Sequence, residues 1–583
     1  LQVVLIAINA KYIHSNLAVY SLQAYAKKQV ASTISLAEYT INQNIEDILK
    51  QIYEKKPDLL AFSCYIWNIT MVEQLIVELH KLLPNVPMWV GGPEVSYRAE
   101  EFLKEYPQVT GVMLGEGELV FTRLVQSYEG ATALQEVPGI CYREEGRIHT
   151  TMPQRLLNMD ELPFVYEDMS VFENRIIYYE TSRGCPFSCS YCLSSVEKQL
   201  RFRSLELVEK ELLFFLEKRV PQVKFIDRTF NCDSKRALHL WQFIQEHDNG
   251  VTNFHFEVAA DLMTPQQIAV IGQMRPGLIQ LEIGVQSANL CTISEIHRKM
   301  DLEKVAAVVA AIHQKENVHQ HLDLIAGLPY ENLDSFKHSF NVVYAMKPQQ
   351  LQLGFLKVLP GSEMKERQEE YGIVCQSRPP YEVLYTKWLS YDDVCALKKV
   401  EAVVELYYNS NQFRHTMTCL VREFESPYAC YESLGNVYED TRQNGEKHNR
   451  LTQYRILLEF IRSHVPGREA VYKELLTLDV YLREKSKTRP EFAPGLGTYK
   501  DTIYAFYKWE EKKRRYLPDY EGYQYKQLVH MTHLEPFSYN LDAFIQSGRL
   551  EKKPMWLLFD YKKRSPLNQE ARIVPLEMCG EWE

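Results

Sequence analysis

The chain has 583 residues, a formal net charge of −10, 46% hydrophobic residues and 24% charged ones. That length exceeds what one core serves, so several domains are expected, and the acidic balance argues against broad nucleic-acid binding. No apolar run approaches the roughly 18 residues needed to span a bilayer, so no membrane partner is expected.

The 12 cysteines are scattered, which fits a reducing cytoplasm better than a disulfide framework. The opening "LQVVLIAINA" lacks a basic segment and a cleavage site, so it is expected to be a buried strand rather than a signal peptide. It is followed by "TISLAEYT", "DLLAFSCYIW", "PMWVGGPE" and "GVMLGEGE", with amphipathic stretches between. Short apolar runs alternating with helices predict a doubly wound parallel sheet over residues 1–135. Gly91, Gly92, Gly115 and Gly117 fall at the carboxyl ends of its strands, where such sheets bind ligands.

Residues 136–175 have the pattern of a linker, with a hairpin around Glu145-Gly146 and an extended segment before Pro163. A second alternating series fills residues 176–378. Its strands are "IIYYETSRG", "VKFIDRTFN", "FHFEVAAD", "LIQLEIGVQS", "HLDLIAGLP" and "LQLGFLKVLPG". Six βα units predict an open, partial parallel barrel. Residues 379–583 are expected to be mostly helical, as in "RILLEFIRSHV", "AVYKELLTLDVYL" and "TYKDTIYAFYKWEEKKRRY", with one strand and turn in "PMWLLFDYKKRSP". The fold class is therefore α/β, with a mostly helical region at the end.

The sharpest chemical signal is "ETSRGCPFSCSYCLSS". Cys185, Cys189 and Cys192 are spaced C-x3-C-x2-C after the first strand of the barrel, at the end where barrels build active sites. A structural zinc site wants a fourth Cys or His nearby, and none follows within twenty residues. Three thiolates on one short loop suit a four-iron cluster whose fourth iron stays open, and Gly184 and Pro186 shape the entry turn.

This loop resembles that of the radical S-adenosylmethionine (SAM) superfamily. The resemblance implies that the open iron chelates SAM and that one electron cleaves it to a 5′-deoxyadenosyl radical. It places Phe187 and Tyr191 of the loop near SAM. Asp227 and Arg228 stand where the SAM amino group is usually bound, in place of the common Gly-Gly-Glu. Glu257, Glu282, Gln286 and Ser287 follow at the next strand ends. Arg298 is expected at the SAM carboxylate and Asp323 beside the adenine.

The first region lacks the Gly-x-Gly-x-x-Gly of a dinucleotide site, which disfavours NAD and flavin. "GGPEVS" and "MLGEGE" resemble turns of the cobalamin (B12)-binding domain in cobalamin-dependent radical SAM enzymes. The resemblance implies a Rossmann-like cobalamin-binding domain, with Gly91, Gly92, Pro93, Glu94, Gly115, Glu116, Gly117 and Glu118 at the corrin. Ser63, Tyr65, Trp67 and Asn68 are expected nearest the cobalt. His14 lacks the flanking Asp and Gly of a cobalt-ligating histidine. It is expected to line the pocket with Lys11, Tyr12 and Asn16 rather than to bind the metal.

Cofactors implied by the resemblance are a [4Fe-4S] cluster, SAM and cobalamin, with flavodoxin or ferredoxin as electron donor. The leading expectation is methyl transfer from methylcobalamin to an unactivated carbon. The alternatives are a radical cyclisation or rearrangement without methylation, and a non-enzymatic cobalamin or redox sensor. A methylthiotransferase would need a second cysteine cluster, and Cys64 and Cys141 are far apart. In the tail, aromatic residues from Tyr504 to Tyr525 are expected either to cap the barrel or to form a core. A nucleic-acid role would need Lys512–Arg515 and Tyr561–Arg564 to join in one patch.

Overall fold

The computed structural model describes residues 1–442, 449–486, 488–497 and 499–576. The first sheet contains β1 (Gln2–Asn9), β2 (Thr33–Thr40), β3 (Leu59–Ser63), β4 (Met88–Gly91) and β5 (Gly111–Met113). A hairpin follows, β6 (Ile140–Glu144) and β7 (Arg147–Thr150). The order is β2-β1-β3-β4-β5-β6-β7. The first five strands are parallel, and helices on both faces bury β1 from Val3 to Asn9. Chain order reverses beside β1, which opens a crevice at the carboxyl ends of β1 and β3. The hairpin turns at Glu145-Gly146, both with positive φ, but it does not belong to the linker. Its strand β6 pairs antiparallel with β5 and prolongs the first sheet.

The second sheet has β8 (Ile177–Tyr179), β9 (Gln222–Phe225), β10 (Asn253–Val258), β11 (Ile279–Gln286), β12 (His319–Ala326) and β13 (Gln350–Phe355). These six strands are parallel and in sequential order, which makes the partial barrel. Burial alternates strictly along β10 and β12. The buried set, such as Phe254, Phe256, Leu322 and Leu324, packs into the main apolar core. The other set is polar: Lys224, His255, Glu257, Glu282, His321 and Asp323. A closed eight-stranded barrel would fill that side with branched apolar residues. Six strands leave the inner face half-exposed, and polar side chains occupy it.

The last region is mostly helical, including helices Tyr391–Val404, Arg450–His464, Glu469–Arg483 and Tyr499–Lys513. It also holds an antiparallel sheet of β14 (Thr532–Tyr539), β15 (Lys552–Arg564) and β16 (Ala571–Leu576). Asn409 docks it on the barrel edge by bonding both the N–H and the carbonyl of Leu351, each at 2.9 Å. That side chain satisfies backbone groups that an open edge strand would leave to solvent. Phe506, Tyr507, Tyr520 and Trp556 form a local core. Most of the tail aromatics therefore belong to this core, with Trp509, Tyr516, Tyr523 and Tyr525 packed against it, while Tyr504 is exposed. The two basic runs meet at Tyr523, whose carbonyl accepts from Arg514 and whose ring lies 5.5 Å from Lys562. Lys563 pairs with Asp519, so Arg514, Lys562 and Lys563 have local partners. No helix among the described residues is long and apolar enough to cross a membrane.

Candidate functional site

The cysteine loop leaves the end of β8 and is braced from below. The Asp227 carboxylate accepts from the Thr181 N–H at 2.7 Å and the Ser182 N–H at 2.9 Å, and from the Thr181 hydroxyl. Burial pushes its pKa up to about 6. Asp227 therefore holds the loop and is not turned toward a SAM amino group, contrary to the expectation from sequence. Gly184 has φ +88°, and a Cβ there would stand 2.5 Å from the Gln199 carbonyl oxygen. Cys185 and Cys189 are buried and Cys192 is half-buried. Burial raises the Cys189 thiol, and Arg298, 3.8 Å from its sulfur, opposes that. Among the described residues, Glu282–His321–Asp323 is the one group with three potential ligand atoms within 4.8 Å of one another. The three sulfurs do not all lie within 4.8 Å of one another, whereas a tetrahedral zinc would hold its thiolates roughly 3.8 Å apart. Three thiol donors on one loop fit a multi-iron cluster.

Around the rim, Arg298 donates to the Tyr191 hydroxyl at 3.3 Å and to the Gly284 carbonyl. Its Nε is buried without a hydrogen-bond partner, as is Gln286 Oε1. Gln286 also has a φ of +71°, a strained position at a β-bulge in β11. Two orphaned polar atoms beside the cysteines fit a polar ligand such as SAM. Phe187 is half-buried on the loop, and its carbonyl lies 3.5 Å from Lys198 Nζ. Ser287 departs from expectation. It is fully buried and donates to Glu331 at 2.6 Å, so it braces the β11 end. Glu282 and Asp323 sit below the rim, among Lys224, His255 and His321. Glu257 does reach the rim, and burial lifts its carboxyl to about 7 although Arg228 opposes this.

Between the first sheet and the barrel lies one cavity of about 1030 Å³. Ser63, Tyr65 and Trp67 line it after β3, where the Tyr65 and Trp67 rings stack at 4.5 Å and 5°. Trp67 is 44% exposed, so it is not a core residue. Gly91, Gly92 and Pro93 line it after β4, and Gly115, Glu116, Gly117 and Glu118 after β5. Nothing lies within 4 Å of where a Cβ on Gly115 would stand, and its φ is +70°. That turn presents bare backbone to the cavity, which fits a flat macrocycle. On the other side, Arg183, Gly184, Arg228 and Glu257 face the same space.

His14 lines the cavity, with its Nδ1 2.5 Å from the Tyr178 hydroxyl. Burial, then Lys11, lowers its pKa. Asn16 also lines it and donates to Ser63 at 2.8 Å. Four expected residues do not line the cavity: Lys11, Tyr12, Asn68 and Glu94. Tyr12 is 66% exposed, with its ring 5.4 Å from Arg175. Asn68 is buried; it accepts from the Tyr65 N–H at 2.8 Å and donates to the Ile8 and Ser63 carbonyls. Glu94 is buried and accepts from the Tyr381 hydroxyl at 3.0 Å. Glu116 and Glu118 line the cavity but are bound to arginines. Glu116 pairs with Arg183 and Arg201, and Glu118 pairs with Arg183. Arg183, Arg201 and Tyr178 were missed in the sequence reading. The Arg before Gly184 was visible, but its partners in the first domain, Glu116 and Glu118, are more than sixty residues away.

Three family models match the chain. They are a B12 binding domain over residues 3–125, the Radical SAM superfamily over 179–343, and a protein of unknown function family (DUF4080) over 369–559. An uncharacterized methyltransferase, PH0819 of Pyrococcus horikoshii, is 25% identical over 334 residues, covering 55% of this chain and 71% of that protein. The cobalamin-dependent radical SAM methyltransferase TokK of Streptomyces tokunonensis is 27% identical over 360 residues, covering 54% of this chain and 50% of that protein. Among solved structures, the cobalamin-dependent SAM radical enzyme OxsB, with aqua-cobalamin and SAM bound, superposes with a TM-score of 0.57. It is 17% identical and covers 82% of this chain and 78% of its own. The radical SAM methyltransferase TsrM of Kitasatospora setae, bound to tryptophan and a SAM analogue, gives 0.55 at 14% identity over 65% and 79%.

Proposed function

Because this chain belongs to the radical SAM superfamily and carries a B12-binding domain ahead of its barrel, we propose that it methylates an unactivated carbon of its substrate. The observation that carries this reading is the shared cavity. The turns after β3, β4 and β5 open onto the same space as Gly184, Arg228 and Glu257 of the barrel. When bound, the cluster, SAM and cobalamin together supply one-electron cleavage of a sulfonium and a carrier for a methyl group.

The chain's own residues position and enclose. Cys185, Cys189 and Cys192 are the thiolate donors. Arg298 and Gln286 offer a donor and an acceptor to the polar groups of SAM. Gly115 would admit the corrin close to the backbone, since a Cβ there meets nothing within 4 Å, while Gly91, Gly92 and Gly117 let the turns pack closely on Met113, Cys64 and Leu22. Tyr65 and Trp67 would give the corrin an aromatic floor. Asn68 and Glu94 hold the turns that carry these residues. Arg183, with Glu116, Glu118 and Glu180, fixes the first domain against the cysteine loop. The Arg228 side chain is exposed at the cavity, where it acts electrostatically on Glu257, and it is a cation available to a substrate. A flavodoxin or ferredoxin provides the electron.

The test is anaerobic reconstitution with iron, sulfide and cobalamin, followed by incubation with SAM and dithionite. Methylation predicts both 5′-deoxyadenosine and S-adenosylhomocysteine, and Cys189→Ala abolishes the former. Deoxyadenosine alone would move the assignment to a radical cyclisation or rearrangement. That second reading is favoured by a relative named anaerobic magnesium-protoporphyrin IX monomethyl ester cyclase, from Cereibacter sphaeroides, 26% identical over 161 residues. Absence of deoxyadenosine from a cluster-loaded protein would leave a cobalamin or redox sensor.

A further inference from the structure

The inner face of the barrel carries a cluster that the cavity does not include. On adjacent strands, Glu282 pairs in register with His321, and Gly284 with Asp323, while His255 projects from β10 beside them. We propose that Glu282, His321 and Asp323, with His255 as the fourth ligand, form a site for one divalent transition-metal ion of the zinc class.

One ligand atom from each of Glu282, His321 and Asp323 lies within 4.8 Å of the other two. His321 Nε2 is 2.9 Å from Asp323 Oδ1, and His255 Nε2 is 3.0 Å from Glu282 Oε2. His255 Nε2, His321 Nε2 and Asp323 Oδ1 are all buried, and each imidazole stands within hydrogen-bonding reach of its carboxylate. A metal ion would replace the shared proton and join both ligand atoms. Bonds of about 2.0–2.2 Å around a tetrahedral centre put neighbouring ligand atoms roughly 3.3–3.5 Å apart, so small shifts complete the geometry. The donors are nitrogen and oxygen only, a set that takes zinc, cobalt or manganese and not the thiophilic ions suited to the cysteine loop. They stand on three hydrogen-bonded strands, which hold them rigidly.

Lys224 completes the picture. Its Nζ lies 3.2 Å from Glu282 Oε2, and its side chain is 28% exposed. In the metal-free protein it supplies the counter-charge, and it has room to swing away when a dication enters. The site therefore has a built-in competitor, and removing that competitor must tighten binding.

The experiment uses the full chain with Cys185, Cys189 and Cys192 all changed to Ala, so that no thiolate competes. This protein is stripped with a chelator and dialysed against cobalt(II), then challenged with zinc. The site predicts about one cobalt per chain, with the visible bands of a nitrogen–oxygen site, displaced by zinc. Adding His321→Ala lowers affinity by at least about a hundredfold, and adding Lys224→Met raises it. If cobalt is not retained, or is retained equally without His321, the proposal fails. Should the triple variant not fold, zinc is counted beside iron in the reconstituted wild type and in His321→Ala. Zinc present in the first and lost in the second supports the site, and equal zinc in both overturns it. Neither readout depends on SAM cleavage, so failure of the function proposed above leaves this inference standing.

Discussion

Arg183 Nη2 lies 2.7 Å from Glu118 Oε1, joining the arginine two residues before the first loop cysteine to the turn after β5. The same guanidinium pairs with Glu116 at 3.2 Å and Glu180 at 2.9 Å. Glu118 also accepts from the Ser21 hydroxyl at 2.9 Å. One side chain thus fixes the distance between the two halves of the cavity.

Arg183→Met is expected to leave three carboxylates facing one another, with Glu118 only 5% exposed. Breaking a buried pair in this way costs about 3–5 kcal/mol. Burial works to raise the Glu118 pKa, but Arg183 outweighs it and holds the carboxyl below its ordinary value. A depressed folded pKa contributes stability above the unfolded value, near about 4.3, and that contribution is lost as pH falls through the folded one. Thermal unfolding should therefore show a large deficit for Arg183→Met at pH 7 that narrows below about pH 4.3. An equal deficit at all pH values would assign the loss to packing alone.

Glu257 behaves with the opposite sign. Its folded pKa is about 7, raised chiefly by burial. A raised acid contributes stability below its unfolded value, and that contribution is lost as pH rises through the folded one. Glu257→Gln removes the titration. The variant should unfold at a higher temperature than wild type at pH 8, and the two should converge below about pH 4.5. Parallel curves from pH 4 to 9 would contradict the assignment.

Much of this architecture was legible because it is local. The cysteine spacing, the glycines after β4 and β5, and the period-two strands of the barrel each lie within a few residues. Strand ends also located the site. What spacing could not convey is the direction a polar side chain takes. Asp227, Ser287, Asn68 and Glu94 sit at strand ends as ligands would, yet each turns back to satisfy buried backbone or side-chain groups. The choice is made by desolvation: a buried N–H or hydroxyl left without a partner costs more than one more ligand contact returns. The Arg183–Glu118 pair spans 65 residues and exists only once two domains meet. The alternation in "NFHFEV" and "HQHLDLIA" identified strands, but it also announced a polar inner face, which a filled barrel would not have.

Tyr381 carries a test that separates bracing from binding. Its hydroxyl donates to Glu94 at 3.0 Å, joining the segment that follows the barrel to the turn after β4. Glu94 is 3% exposed, and burial raises its pKa. Tyr381→Phe leaves that carboxyl with one partner fewer, at a cost of about 1–3 kcal/mol. Unfolding temperature should fall while cobalamin affinity in the folded protein, followed by visible absorbance, stays within a factor of two or so. A loss of affinity far beyond the loss of stability would place Glu94 at the corrin after all.

Gly92 is the converse case, where a small change should harm binding more than folding. Its φ is +117°, and a Cβ there would run into the Cys64 carbonyl. The obstacle is backbone on both sides, so no rotamer relieves it. Ala at this position must push the turn after β4 away from β3, into the space that Gly91 and Pro93 line. Strain of this kind costs about 1–3 kcal/mol, which a chain with this much buried core tolerates. The displaced turn narrows the cavity from the side where the macrocycle must lie closest to backbone. Gly92→Ala should therefore purify folded, with its loop cysteines still able to take up iron. Its cobalamin uptake should fall at least about tenfold, since a shift of even one carbon's width matters in a close-packed site. The check is a paired measurement on one reconstituted sample, iron by colorimetry and cobalamin by absorbance. Iron and cobalamin falling together would mean that the substitution unfolds the chain and says nothing particular to this turn. Iron retained with cobalamin undiminished would mean that the corrin does not approach the β4 turn.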